Sequence, residues 1–414
     1  MLFVLFEAIN GDAPKAEAHL RNGQRVLDAC AWSAVPALRQ QLGHVVAMVC
    51  EQGKSDLDVG GLAGFVGGAP EGYTHPHWGA HLTAAQYHSR ERHLLSTRLA
   101  SSGGLTPWIL TSETTTTTTP RPVLASCETI RKRALVRPAG SDAVISVGAQ
   151  GVASVFVREG LRGRGYAARM MGLLAEKLGL EGWDAPFSIL YSDIGPEFYA
   201  RCGWKPHASS HLILNTTTII NSPATPIHDA DLPSLTATDE LRLKHHLARL
   251  PPSPSIRAAL IPDLATLQWH FARQDFLAGY QFHVPPRAIR GALLAGASPV
   301  WAVWKPHLSE EENGINTLEF LRLSYEDDIA DQALSTALQA IVEQASHEAQ
   351  TWRCKRLLLW NPDARVRNIL SSMTHLQPTL MERTTESIAS LLWLAEGGTD
   401  AAVEWIANEK FGWC

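Results

Sequence analysis

The chain has 414 residues, which is more than one hydrophobic core usually holds, and it carries a net charge of −5 at pH 7. Hydrophobic residues make up 45% and charged residues 19%, so the composition is that of a globular protein. The slightly acidic balance argues against a general binder of nucleic acid or anionic membranes, and six scattered cysteines without a CxxC pair predict reduced thiols in an intracellular protein.

Residues 1–75 form the least regular part of the sequence. The apolar start, MLFVLFEAIN, lacks the basic residues of a signal peptide, and no apolar run in the chain is long enough to span a membrane. We therefore expect a cytoplasmic protein. Three interpretations of residues 1–75 stay open, namely a divergent lid, an appendage and an incorrectly predicted gene start.

Five histidines lie in and around the next predicted helix, Leu82–Leu95, which has apolar residues at helical spacing. They are His75, His77, His81, His88 and His93. No cysteine or carboxylate completes a metal-binding spacing beside them. We interpret them as surface or helix histidines and expect no metal site.

A first half of the chain then follows the order strand, strand, strand, helix, strand, helix. The predicted strands are Pro122–Ile130, Ala143–Val147, Val152–Val157 and Phe187–Tyr191, with Trp108–Leu110 as a further short strand and His211–Leu214 as the closing strand. The first helix is expected to pack through Ala168, Met171, Leu174, Ala175 and Leu178. The threonine-rich segment Ser112–Pro122 is expected to be a loop without chemistry.

The turn between Val157 and the first helix has the sequence Arg162-Gly163-Arg164-Gly165-Tyr166-Ala167. Its two glycines allow positive φ and a close approach of the backbone to a ligand. Because a helix begins here, several backbone N–H groups have no partner within the helix and face outward at the positive end of its dipole. The turn therefore predicts a pyrophosphate site to which the two arginines add positive charge, although it is neither a Walker loop nor a GxGxxG motif.

Two motifs in this half resemble the signatures of GNAT acetyltransferases. The segment from Arg162 to Ala167 is similar to their R/Q-x-x-G-x-G/A signature for acetyl-CoA, and Phe198-Tyr199-x-x-x-Gly203-Trp204 is similar to the element that ends their core. The chain further resembles the fungal lysine N6-acetyltransferase-like proteins over roughly residues 78–414. The segments that carry this likeness are Leu124–Leu135, Phe187–Trp204 and Glu404–Cys414.

The resemblance implies an α/β (α+β) fold with a mixed sheet flanked by helices, and acetyl-CoA as co-substrate. Residues 76–222 are expected to form the domain that binds acetyl-CoA. Residues 223–414 are expected to form a second GNAT-like domain, on the acceptor side or with a structural role, because their predicted elements repeat the order of the first half. A small-molecule amine is the implied substrate, and the oligomeric state is not predicted.

The elements of the second half follow from the same patterns. Helical patterns cover Asp239–Leu250, Ile256–Tyr280 and Ile329–Thr351, strands are predicted at Pro299–Lys305, Thr317–Ser324 and Arg356–Trp360, and a helix is predicted after Pro362. The loop before the long helix, Tyr325–Asp328, has no glycine and three carboxylates, which repel phosphate. We expect only the first half to bind the co-substrate.

The chemistry implied by the resemblance requires a base for the amine, N–H donors for the oxyanion and an acid for the departing thiolate. By resemblance, the donors lie near Phe156, Val157 and Arg158, and the acid is Tyr199, which is alternatively a core residue. Glu128, on a strand that lines the acceptor groove in GNAT-like folds, is the favoured base; alternatively it is a surface or ion-paired residue. Asp193 is the rival base, or else the N-cap of the Ile194–Arg201 helix.

The carboxyl-terminal sequence, NEKFGWC, is too aromatic for a frayed tail. It either docks into the core or lines the acceptor pocket through Trp413 and the terminal carboxylate. Arg131, Lys132 and Arg133 are candidate cations for a carboxylate on the acceptor. Three functions stay open, namely acetylation of the ε-amine of free lysine, acylation of a secondary-metabolite amine, and non-catalytic binding of CoA.

Overall fold

The structure is a computed structural model that describes residues 46–50, 70–79, 82–112, 123–180, 185–218, 222–282, 287–308 and 314–413. Most of the uncertain segment over residues 1–75 lies outside these ranges, as do His81, Cys414 and nearly all of the threonine-rich loop. Residues 47–414 group into one compact unit. Its described part consists of two mixed β-sheets and eight α-helices, which confirms the predicted fold class.

Several of the helices begin where the sequence offers a capping side chain or a proline. Thr83 accepts a hydrogen bond from the backbone N–H of Gln86, whose side chain in turn accepts one from the backbone of Thr83, and this capping box starts the second helix. The helices are α1 (Pro70–Trp78), α2 (Ala84–Leu95), α3 (Tyr166–Leu178), α4 (Glu197–Arg201), α5 (Leu232–Arg249), α6 (Leu264–Phe282), α7 (Asp331–Thr351) and α8 (Ala364–Ser372). Within the described ranges, none of them has the length and hydropathy needed to cross a membrane.

The first sheet has nine strands. These are β1 (Val46–Cys50), β2 (Leu105–Ser112), β3 (Val123–Arg137), β4 (Ile145–Phe156), β5 (Phe187–Ser192), β6 (Lys205–Pro206), β9 (Ile256–Leu260), β15 (Ile388–Trp393) and β16 (Val403–Trp405). The main order is β1-β2-β3-β4-β5-β15-β6, and β9 joins β16 to the far end of β3. The central pair β4–β5 is parallel, whereas β15 runs antiparallel to both β5 and β6.

The second sheet has seven strands. They are β7 (Ser210–Asn215), β8 (Thr225–Ile227), β10 (Gly291–Leu294), β11 (Val300–His307), β12 (Thr317–Ser324), β13 (Arg356–Trp360) and β14 (Thr379–Glu382). Their order in the sheet is β14-β7-β13-β12-β11-β10-β8. Its parallel pair, β12–β13, is followed by the antiparallel strand β7. The second sheet therefore repeats the arrangement of the first around its own parallel pair.

Each sheet borrows a strand from the other half of the chain. The strand β15 lies beside β5 in the first sheet, and β7 lies beside β13 in the second. The prediction that His211–Leu214 closes the first sheet is therefore wrong. The alternation that buries Leu212 and Leu214 identifies a strand but not its partner. The division into domains at residues 222 and 223 stays a prediction.

Two further element predictions differ from the structure. The segments Ala143–Val147 and Val152–Val157 belong to the single strand β4, because the glycines between them do not interrupt its pairing with β3. The helix predicted over Ile256–Tyr280 is a strand followed by a helix, since Pro262 separates β9 from α6.

The two sheets share a hydrophobic core. One buried cluster combines Phe187 and Ile189 of the first sheet with Trp301 and Leu321 of the second, and α6 adds Phe271 to it. A second cluster lies on the side of the second sheet that α7 and α8 cover. This packing, together with the borrowed strands, fixes the ends of β4 and β5 relative to residues of the carboxyl-terminal half.

Candidate active site

The strands β4 and β5 separate at their carboxyl ends. Their parallel pairing covers only Gln150–Val152 and Ser188–Leu190, although β4 continues to Phe156 and β5 to Ser192. The backbone groups of both strands beyond this point no longer pair with each other. The separation leaves an opening between the two strands next to the glycine turn.

A β-bulge accompanies this opening. Ser126 of β3 pairs with Phe156, but Glu128 pairs with Ala153, so two residues of β4 oppose one residue of β3. Within the bulge Ser154 has a φ of 54°, a conformation that few residues other than glycine adopt. The Phe156 ring that follows contacts His77 and Trp78 of α1, at ring-centre distances of 5.2 Å and 5.6 Å.

The glycine turn has the conformation that its sequence predicts. Gly163 and Gly165 have φ values of 75° and 79°, and Gly165 is the N-cap of α3. A Cβ atom at either position would meet nothing within 4 Å, so the space around the turn is open. Among the described residues, no acceptor is provided for the backbone N–H groups of residues 163–168.

The side chains around the turn are mostly basic and exposed. Arg158, Arg162 and Arg164 are all exposed, and the guanidinium of Arg162 donates a hydrogen bond to the carbonyl of Val157 at 3.1 Å. Glu159 lies 4.0 Å from Arg162 and 3.7 Å from His77. Tyr166 and Ala167, the first residues of α3, are half-buried. The structure thus brings all nine residues predicted for the co-substrate to the end of β4 and the start of α3.

A groove of about 520 Å³ continues from the turn between α3 and α4. Its lining residues are Ala168, Gly172, Ala175, Phe198, Arg201 and Cys202. Ala168 and Ala175 were predicted to pack in the core, but they line this groove, while Met170 takes a core position instead. Ala168, Gly172 and Ala175 lie at positions i, i+4 and i+7, and this spacing of small residues is the sequence signal for the open face of α3.

Tyr199 lies on α4 and is 9% exposed. Burial raises the pKa of its hydroxyl well above the ordinary value, and the nearby Cys127, Asp193 and Cys202 raise it further. Its ring stands edge-on to Phe198 at 4.9 Å. Because its pKa is raised, the Tyr199 hydroxyl is protonated at neutral pH.

The two predicted bases lie in different surroundings. Asp193 follows β5, is exposed, and accepts a hydrogen bond from the backbone N–H of Ser387 at 2.9 Å. It is not an N-cap, because α4 begins after Pro196. Glu128 is half-buried and accepts a hydrogen bond from Ser154 Oγ at 3.1 Å. Burial raises the pKa of Tyr87 on α2, and the charge of Glu128 adds to this rise. The charge of Asp193 instead adds to the rise that burial causes in the pKa of Tyr199.

A cavity of about 180 Å³ lies beside the ends of β4 and β5. Asp193 and Trp78 line it from the first half, and Trp78 also contacts Phe156. The carboxyl-terminal half contributes cations, a buried amide and an indole. These residues are Arg273, Gln274, Lys305, Lys410 and Trp413.

A buried ion cluster forms one side of this cavity. Glu319 lies 2.9 Å from Lys305 Nζ and 3.3 Å from Lys410 Nζ, and all three side chains are less than 10% exposed. Burial lowers the pKa of Lys410 to about 8, although Glu319 opposes this shift. Burial would raise the pKa of Glu319, but the two lysines more than offset it and hold this pKa well below its usual value.

The cations that line the cavity are not those predicted from the sequence. Within the described ranges, its lining does not include Arg131, Lys132 or Arg133, and Arg133 instead pairs with Glu240 at 2.6 Å. Lys305 carried a signal that the sequence reasoning missed, because it is a charge in the apolar strand VWAVWK. Such a charge is rarely buried without a specific partner.

The corresponding loop of the second half is closed by its own chain. The guanidinium of Arg365 donates hydrogen bonds to the carbonyls of Asp327 and Ile329 and to the carboxylate of Asp331. Arg242 pairs with Glu326 at 3.1 Å. These contacts fill the start of α7, where a second pyrophosphate would otherwise bind.

Residues 207–414, half of the chain, match the protein family described as the LYC1 GNAT-like C-terminal domain. The chain belongs to the GNAT superfamily of acetyltransferases. The predicted resemblance is thereby confirmed. GNAT enzymes typically use an acyl-CoA. In this GNAT chain, the segment that resembles their R/Q-x-x-G-x-G/A signature is the open turn that contains Gly163 and Gly165.

Similar proteins include a lysine acetyltransferase of Yarrowia lipolytica, which is 22% identical over 397 residues covering 83% of this chain and 96% of that protein. Among solved structures, a GCN5-related N-acetyltransferase from Kribbella flavida has 12% identity and a TM-score of 0.47, covering 85% of this chain and 72% of that one. Another from Anabaena variabilis ATCC 29413 has 11% identity and a TM-score of 0.46, covering 84% and 73%.

Histidines in and around α2 have individual contacts in this GNAT chain. The ring of His75 lies 2.6 Å from the carbonyl of Leu82, and the ring of His93 stacks on Phe276 at 5.5 Å. Within the ranges that the structure describes, no three His, Cys, Asp or Glu side chains are placed to hold a metal ion.

Proposed function

We propose that this GNAT enzyme transfers the acetyl group of acetyl-CoA to the ε-amine of free L-lysine. The observation that carries the proposal is the adjacency of two features. The open glycine turn lies at the end of β4, and a small cavity with both a carboxylate and cations lies beside the same strand end. The similarity to the lysine acetyltransferase of Yarrowia lipolytica supports lysine as the acceptor.

The residues around the glycine turn fit acetyl-CoA. The unpaired N–H groups of residues 163–168 suit a pyrophosphate at the start of α3, and Arg162 and Arg164 suit its negative charge. The groove between α3 and α4 suits the remainder of the molecule, since its floor consists of small residues. When bound there, acetyl-CoA supplies the acetyl thioester.

Two side chains at the opening are suited to proton transfer. The amine of lysine has a reference pKa near 10.4 and must lose a proton before it reacts. We assign Asp193 as the base that accepts this proton, because Asp193 lines the cavity. Glu128 is not among the described residues that line the cavity. We assign the acid role to Tyr199, whose protonated hydroxyl can donate its proton to the departing thiolate to give free CoA thiol.

The size of the cavity favours a small acceptor. A cavity of about 180 Å³ is slightly larger than the roughly 150 Å³ that holds a benzene molecule. This size suits a single amino acid better than a large secondary metabolite or a peptide segment.

The test is release of CoA thiol by the purified protein with acetyl-CoA and a panel of amines that includes free lysine. We expect lysine to be the best acceptor and the product to carry its acetyl group on the ε-nitrogen, which nuclear magnetic resonance of the product identifies. Tyr199→Phe should lower kcat by roughly a hundredfold or more at unchanged melting temperature. A better turnover with an unrelated amine would refute the lysine assignment, and tight acetyl-CoA binding without any turnover would favour a binding role.

A further inference from the structure

The acceptor cavity has an imbalance of charge on the side formed by the second half. Lys305 and Lys410 share a single carboxylate, that of Glu319, at 2.9 Å and 3.3 Å. Both lysines are buried, at 3% and 6% exposure. Two buried cations with one counter-charge leave an excess positive charge where water cannot screen it well.

Among the described residues, the neighbouring groups do not remove this imbalance. Glu319 alone would raise the pKa of His307, but burial and the two lysines lower it, so this imidazole is neutral at neutral pH. Arg273 lies over the Trp413 ring at 5.4 Å and adds a further cation to the lining. Asp193 is the one carboxylate among the described lining residues of the cavity, and it belongs to the first half.

An independent observation points to the same place. Gln274 lines the cavity and is 3% exposed, yet its Nε2 has no hydrogen-bond partner among the described residues. A buried amide donor without a partner costs free energy unless a ligand accepts its hydrogen bond. A carboxylate satisfies both this donor and the excess charge of the lysines.

We propose that Lys305, Lys410 and Gln274 form a subsite for a carboxylate of the acceptor, which makes the enzyme specific for amino acids over simple amines. This inference rests on the proposed transfer to an amine and adds the residues that select the acceptor. The acceptor then lies with its amine towards Asp193 and its carboxylate towards Lys410. Trp413, whose ring lies 4.8 Å from Lys410 Nζ, holds this lysine in the lining.

The test compares lysine with cadaverine, which is lysine without its carboxylate, in Lys410→Met and Gln274→Met. Loss of one charge-assisted hydrogen bond corresponds to a rise in KM of roughly ten- to a hundredfold. We expect this rise for lysine, with kcat changed less than about threefold and the KM for cadaverine changed less than about twofold. Lys244→Met is the matched control, because it removes the same charge from an exposed site and should leave both KM values unchanged.

Gln274→Met keeps the test valid if Lys410→Met does not fold. Since Nε2 of Gln274 has no partner to lose among the described residues, this variant should melt no lower than the wild type while its KM for lysine rises. Equal effects on lysine and cadaverine in both variants would mean that the residues only support the fold, which would overturn the subsite.

The subsite and the lysine assignment fail in different ways. If another amino acid is the acceptor, the lysine assignment fails, and the subsite is then tested by comparing the KM values of that amino acid and its decarboxylated amine. If no amine is acetylated, calorimetric titration of the protein with lysine and with cadaverine tests the subsite directly. Binding of lysine alone supports it, whereas equal binding of both compounds, or of neither, overturns it.

Discussion

Replacing Gly172 separates the stability of α3 from the role in binding acetyl-CoA that we propose for this helix. This glycine lies inside α3, has ordinary helical φ, and a Cβ added to it would meet nothing within 4 Å. Gly172→Ala should therefore stabilise the protein by about 1 kcal/mol, the difference in helix propensity between the two residues. Gly172→Leu should gain a similar amount, but its larger side chain fills part of the groove of about 520 Å³ between α3 and α4.

The assay for these two variants combines urea unfolding with the KM for acetyl-CoA. We expect both variants to unfold at higher urea concentration than the wild type. The KM for acetyl-CoA should rise at least about tenfold in Gly172→Leu, which corresponds to about 1.4 kcal/mol of lost binding, and should change little in Gly172→Ala. If Gly172→Leu binds acetyl-CoA as tightly as Gly172→Ala does, the groove is not part of the acetyl-CoA site and the reasoning is refuted.

Three further predictions concern charged residues of the site. Asp193→Asn should lower kcat by roughly a hundredfold and Glu128→Gln by less than about tenfold, measured with saturating lysine; the reverse order would restore Glu128 as the base. Glu319→Gln should lower the free energy of unfolding by about 3–5 kcal/mol in urea titrations, because it leaves two buried lysines without a counter-charge. Since the pKa of Lys410 is lowered to about 8, the KM for lysine should rise as the pH increases above this value, and a flat profile would contradict the subsite.

Local sequence patterns predicted the elements whose conformation depends on their own residues. The strands Thr317–Ser324 and Arg356–Trp360 have the predicted bounds, because each is a short segment rich in apolar residues that includes an aromatic one, a composition that fits a strand in either sheet. The positive φ of Gly163 and Gly165 also followed from composition, since glycine adopts it without a Cβ penalty.

The pairing of strands could not be predicted in the same way. The alternation in Ser210–Asn215 buries the same leucines whether the strand lies in the first sheet or the second. This strand pairs with β13, whose residues lie about 145 positions further along the chain. The pairing uses backbone N–H and C=O groups, which are the same in every sequence, so the side chains do not identify the partner strand.

The acceptor cavity was missed for a related reason. Its charged residues Asp193, Lys305 and Lys410 lie far apart in sequence, and no spacing rule connects them. The sequence did indicate that the carboxyl-terminal segment is ordered, and it left two interpretations open, namely docking into the core and lining of the acceptor pocket. Trp413 serves both, because its ring contacts His270 of α6 at 6.3 Å and also lines the cavity.

The borrowed strands connect the carboxyl-terminal half to the end of β5, where we propose that the amine loses its proton. Ser387 directly precedes β15, which pairs with β5 along its whole length from Ser192 to Phe187. The backbone N–H of Ser387 donates to the carboxylate of Asp193, so the second half holds the residue that we assign as the base. The same half supplies Lys305 and Lys410, which we assign to the carboxylate of the acceptor. Because Arg365 occupies the loop before α7, we propose that the second half positions the base and selects the acceptor, while the co-substrate binds at the glycine turn of the first half.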